Sequence, residues 1–233
     1  MRPGLDPRDA ALQSTCPVVI APRFGALPPM LPGQRLIAAA TGLFVQVKLD
    51  WLDCVHCLTP QGLGLPLPYG SLNEHLRFAF GVLPIRLIEQ FVDAGRHALP
   101  NESAGALIYS RSSGRLRLAV CEPARCSPTR IDYRVPPMAA DEALAVDLHT
   151  HGRLPAFWSD EDDRDDQGIK VAGVFGRLHE DRPDACFRLG LNGLYLPLPH
   201  PWTTSIPGAK LTPEPAVDRH WLRRLLARWS AGR

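Results

Sequence analysis

Apolar and polar residues change rhythm several times along this chain, and the changes outline its elements. Pro17-Val18-Val19-Ile20 and the run from Leu43 to Leu49 read as strands, joined through the turn-rich stretch Pro28 to Gly33. From Pro84 the apolar residues Ile85, Ile88, Phe91 and Val92 fall at helical spacing. Proline suits a first helical turn, and the helix should end near Leu99-Pro100. Two strands come next, Ala104 to Tyr109 and Leu116 to Val120, with a turn at Ser112-Ser113-Gly114. The segment from Ala143 to His149 alternates less cleanly, yet Ala145-Val146-Asp147-Leu148 fits a buried strand. Ser159 opens a short acidic helix, and 169–178 and 186–196 read as two further strands. Near the end, Trp221, Leu222, Leu225, Leu226 and Trp229 share one helical face, with arginines elsewhere around it. Such a basic amphipathic helix can meet a membrane or an acidic partner, but packing of its stripe on its own domain is the expected use.

These elements divide the chain into three. Residues 1–75 form a small β-rich accessory domain, closed by the Gly- and Pro-rich stretch 62–68. Residues 76–205 form the larger unit, and 206–233 a proline-containing linker with the amphipathic helix. The fold class expected is α+β, a mixed sheet flanked by helices.

Composition narrows the partners more than the fold. A net charge of +2 carries no polyanion signal, so nucleic acid is not expected. No apolar run reaches the roughly 18 residues of a membrane span. Met1 to Asp6 lacks the apolar core of a secretory signal, which points to the cytoplasm. The cysteines are too sparse for a disulfide scaffold. Cys54-Val55-His56-Cys57 is a C-x-x-C pair, and without a second such pair its cysteines are expected to be reduced, partly buried and free of metal.

The chemistry concentrates in His149-Thr150-His151, with Ser159 and Asp162 downstream. Histidines two apart on an extended segment point to one side. Ser159 suits a helix N-cap, and Asp162 then falls at the third helical position, from which a carboxylate can turn back toward the strand end. Two nitrogens and one oxygen leave a fourth tetrahedral position open, as catalytic zinc requires. The acidic run Asp160 to Asp166 reads mostly as negative charge complementing a helix N-terminus. Phe157 and Trp158 either line a substrate groove or pack beneath the acidic helix.

This pattern resembles the JAMM signature of the JAB/MPN metalloprotease family, which adds an upstream glutamate in a Pro-x-Glu-x-x-Gly setting. Pro100-Asn101-Glu102-Ser103-Ala104-Gly105 matches that setting, and the resemblance spans about residues 80 to 200. It implies that His149, His151 and Asp162 bind zinc (Zn2+), that Glu102 is the catalytic general base and that Ser159 stabilises the oxyanion. It also implies a deaminase-like sheet core in 76–205 and cleavage of peptide or isopeptide bonds at the C-terminal tail of ubiquitin-like proteins. Gly152 departs from the proline common in the family. With Phe157-Trp158-Ser159 and the acids after it, the chain is more similar to protein A of the bacterial PRTRC system.

Two rivals bear on this reading. Zinc deaminases need His-x-Glu followed by Pro-Cys-x-x-Cys. The chain has no His-x-Glu, and its C-x-x-C lies far upstream of the histidine pair. The other rival is a catalytically silent JAB/MPN-like scaffold or binding module. The complete set of ligand positions argues against it.

Overall fold

In the computed structural model the described residues are 6–59 and 66–199. The expected C-terminal amphipathic helix, and most of the stretch that closes the first unit, lie outside them. The fold is α+β, with two mixed sheets and few helices.

The first sheet comes after a short helix α1 (Pro7–Thr15), whose N-cap Asp6 accepts a hydrogen bond from the Arg8 amide. It has five strands in sequential order: β1 (Val18–Ile20), β2 (Gly33–Ala39), β3 (Gly42–Lys48), β4 (Leu52–Cys57) and β5 (His75–Phe78). β1 runs parallel to β2, and the other pairs are antiparallel. Strand alternation sends Cys54 into one core and packs Cys57 against the other, so the C-x-x-C cysteines face apart and do not converge on one ion.

Helix α2 (Ile85–Ala98) begins where the stripe predicts, but its buried face is Leu87, Ile88, Phe91 and Gly95, while Ile85 is half exposed. Phe91 packs against Gly105, where a Cβ would sit 2.8 Å from its ring. The glycine of the Pro-x-Glu-x-x-Gly stretch is thus a packing requirement.

The second sheet has six strands. In chain order they are β6 (Ala104–Ser110), β7 (Arg115–Cys121), β10 (Glu142–Thr150), β11 (Ile169–Gly176), β12 (Asp184–Leu191) and β13 (Leu194–Leu198). In space they lie in the order β13-β12-β11-β10-β6-β7. Only the β10–β11 pair is parallel, and the six-residue helix α3 (Asp160–Asp165) lies in the connection between them. The single strand expected over 186–196 is a hairpin. Asn192 and Gly193 both take positive φ (53° and 95°), the two-residue turn that this dipeptide favours. A separate hairpin, β8 (Pro123–Ser127) and β9 (Arg130–Tyr133), escaped the sequence pattern because β8 carries polar and apolar residues without alternation.

The main core joins the two sheets. Val47, Leu52 and Cys54 of the first, with Trp51 of the turn between β3 and β4, belong to one buried cluster with Phe91 of α2 and Leu107, Leu148 and Leu189 of the second. On the far face of the second sheet Ala104, Ala106 and Ile108 make a small cluster covered by Ile131, Tyr133 and Val135 of the hairpin and the segment after it. That far face carries the chemistry.

Candidate metal centre

Strand alternation gathers the site. Leu148 of β10 points into the main core, so Asp147, His149 and His151 point the other way. Antiparallel pairing sets His149 against Ala104, and the Thr150 amide donates to the Ser103 carbonyl at 2.9 Å. The same ladder carried one step further places Glu102 across from His151. Gly152 comes next with φ +56°, which a proline ring forbids. A Cβ there would stand 3.1 Å from the Pro100 carbonyl oxygen. The chain turns beside the Pro-x-Glu segment on this glycine.

The two imidazoles face each other, with Nε2 atoms 3.2 Å apart. Asp162 Oδ1 is 3.1 Å from His149 Nε2, and Oδ2 is 3.8 Å from His151 Nε2. A tetrahedral zinc with bonds of about 2.0–2.1 Å has ligand atoms about 3.3 Å apart. The donor set and its spacing therefore fit zinc, and the three residues form a possible metal site. His151 is 4 % exposed, and its Nδ1 finds no well-aligned partner. Burial and the neighbouring His149 hold it below the usual imidazole range, which favours the neutral form that ligates metal.

Asp162 is placed by a capping box. The Ser159 hydroxyl accepts from the Asp162 amide at 3.1 Å, and Asp162 Oδ2 accepts from the Ser159 amide and hydroxyl at 2.7 Å each. Burial by itself would raise this carboxyl, but His149 and the Ser159 donors outweigh it and hold it well below the carboxylate range. The Ser159 hydroxyl thus donates to Asp162 here, and donating to an oxyanion requires rotation of the O–H about Cβ–Oγ.

Glu102 is buried and stands outside the ligand cluster. Burial pushes its carboxyl up to about 7; His149 opposes the shift, and Asp162 and Glu161 add to it. It shares with the three ligands and Ser159 a cleft of about 530 Å³. The β8–β9 hairpin is one wall, tied down where the Glu102 amide donates to the Ser127 carbonyl and where the Tyr133 hydroxyl donates to Asp147 at 2.7 Å. Arg130 reaches across to Glu161 of α3 at 2.8 Å. The two aromatics before Ser159 part company. Phe157 lies against His151, with ring centroids 4.6 Å apart, and is 45 % exposed. Trp158 meets His149 edge-on and is covered on its face by Arg188.

The sequence reading missed the charges beneath α3. Asp163 and Asp166 pair with Arg188 of β12, and Asp166 and Asp147 share Lys170 of β11. Complementing the helix N-terminus is therefore only part of what the acidic run does. A signal existed for Arg188: it sits between Phe187 and Leu189 in an alternating strand, which puts it on the face opposite the core. Nothing local indicates that α3 covers that face.

Residues 84–190 match the family described as prokaryotic homologs of the JAB domain, and residues 6–79 match DUF2016, a domain of unknown function. No curated protein matches the chain. Among solved structures the chain is similar to the solution structure of protein DSY2949 from Desulfitobacterium hafniense, at 20 % identity and a TM-score of 0.38, over 48 % of this chain and 86 % of that one. The chain thus carries a prokaryotic JAB domain behind an N-terminal DUF2016 domain, with a possible His-His-Asp metal site in the former.

Proposed function

We propose that this JAB domain is a zinc-dependent peptidase or isopeptidase of JAMM type, hydrolysing an amide bond at the flexible tail of a ubiquitin-like protein in a bacterial PRTRC-type system. The observation that carries the catalytic part is the convergence of two imidazole nitrogens and one carboxylate at 3.1–3.8 Å, open to a cleft that also holds a buried carboxyl. Zinc held there supplies Lewis acidity and lowers the pKa of water toward neutrality.

The chain's own residues do the rest. Glu102 takes a proton from the attacking water and passes it to the leaving amine, a task suited to a carboxyl whose surroundings raise its basicity. Ser159, once its hydroxyl rotates, donates to the oxyanion of the tetrahedral intermediate. A cleft of about 530 Å³ takes a segment of chain rather than a folded surface, which supports a tail as substrate. Such a tail would lie between the hairpin and α3, adding to an exposed strand edge.

The test pairs metal content with hydrolysis of a ubiquitin-like fusion. Wild type should hold one zinc per chain and cleave the fusion after the tail. His149→Ala with His151→Ala should lose both while staying folded, because a catalytic site adds less to folding than a structural one. Equal metal content in both proteins would overturn the metal reading. Zinc binding without cleavage of any tail fusion would leave a metal-holding scaffold in place of the protease.

A further inference from the structure

The helix that supplies Asp162 is poorly able to hold itself. α3 has six residues, and none of its side chains is buried. Isolated helices of this length do not persist in water. Something outside must fix its rotation and height, since these set where Asp162 points.

Arg188 is placed to do so. It rises from β12 on the face that carries His149 and is 4 % exposed. Its Nη1 donates to Asp163 Oδ1 at 2.6 Å, and Nη2 and Nε donate to Asp166 Oδ2 at 2.7 and 3.2 Å. These partners are the residue after Asp162 and the residue one turn on. The guanidinium lies between two rings, Trp158 at 3.8 Å and Tyr195 at 3.9 Å. Trp158 precedes the N-cap Ser159 and touches His149 edge-on, with centroids 6.3 Å apart. One guanidinium therefore grips the chain on both sides of Asp162 and backs the ring that abuts His149. The Tyr195 hydroxyl adds a bond to the Asp163 carbonyl at 2.7 Å.

We propose that Arg188 is a positioning residue of the metal centre, which holds α3 and Trp158 so that Asp162 and His149 present their ligand atoms to one point. The inference rests on the metal reading above. Only a planar fork fills this role. A lysine in its place keeps the charge but loses the bidentate bonds and the two-sided stack.

The test is zinc affinity by chelator competition, together with the visible absorption of the cobalt-substituted protein, which reports ligand geometry. Arg188→Lys should bind zinc about 10- to 100-fold more weakly than wild type, the scale on which outer partners of metal ligands act. Its cobalt bands should shift or weaken. Asp163→Ala, which removes one arm of the fork and leaves Asp166 paired, should fall between Arg188→Lys and wild type; it serves if Arg188→Lys does not fold. Thermal melts of the metal-free proteins separate the two roles. A lowered melting temperature with wild-type zinc affinity and a wild-type cobalt spectrum makes Arg188 mere structural glue and overturns the proposal. Failure of wild type to bind zinc would instead bring down the metal reading beneath it.

Discussion

Glu102 and Asp162 are carboxylates in one cleft whose surroundings push their acidities apart, the usual mark of a divided acid–base task. Burial leads in both, but only Asp162 has hydrogen-bond donors and an imidazole that outweigh it. In the metal-free protein this has a signed consequence. A carboxyl raised on folding stabilises the protein relative to its ionised form below the unfolded value, and that stability is lost as pH rises toward the folded value. The Glu102 contribution should therefore be lost between about pH 4.5 and about 7, so metal-free wild type should lose stability across that window relative to a variant without this carboxyl. Glu102→Gln should not show that loss, which melts at both ends of the window will reveal. The same variant should keep its zinc while hydrolysis falls by about 10²–10⁴-fold. Asp162→Asn should weaken zinc binding itself. Zinc loss in Glu102→Gln would make Glu102 a ligand. At this scale the chain was unusually legible. Residues two apart on a strand share a face whatever surrounds them, so the histidine pair could be placed from spacing alone. Alternation gave the face of Arg188 but not its partners, and the pairings of Arg188 with Asp163, Lys170 with Asp147 and Tyr133 with Asp147 join residues 14 to 25 positions apart, beyond the reach of any local spacing.

Elements were legible where the hydrophobic period was clear and faded where it was not. α2 starts within a residue of the expected place, since one apolar stripe defines it. Its buried stripe is rotated from the expected one, because the surfaces it packs on, and not its own pattern, choose the face. The β8–β9 hairpin has little pattern to read, and it gains its order from what it covers. Its anchor is testable. Tyr133→Phe leaves the ring in place and removes the hydroxyl that binds Asp147. Losing a hydrogen bond to a buried charge should cost about 1–3 kcal/mol. The loss should be local. Amide exchange in 123–133 should quicken while that of β10 and β11 is unchanged. Unaltered exchange in the hairpin would show that apolar contacts from Ile131 and Val135 suffice.

For the whole molecule, the shared core matters most. Trp51 is 1 % exposed, stacks with Phe78 and Phe80, and belongs to the cluster that includes Leu107 and Leu148 of the other sheet. Removing its ring should cost about 3–5 kcal/mol, as large-to-small changes of this size do. Because the cluster spans both sheets, Trp51→Ala should lower one cooperative transition seen alike by fluorescence and by circular dichroism. Two separate transitions, with the second unmoved, would mean that the sheets are energetically independent. Among the described residues no helix is long and apolar enough to cross a membrane.

Short-range geometry is what the residues encode without help from the rest of the chain. The period of two on a strand put His149 and His151 on one side, the capping preference of Ser159 put Asp162 at the third helical position, and the apolar stripe after Pro84 made a helix. Folding in three dimensions settled the remainder: the first sheet shares its core with the second, a patternless hairpin walls the cleft, and an arginine from β12 braces the acidic helix. These depend on contacts between residues far apart in the chain. Such contacts are set by which faces are left to be covered once the strands have paired, and no local periodicity encodes them.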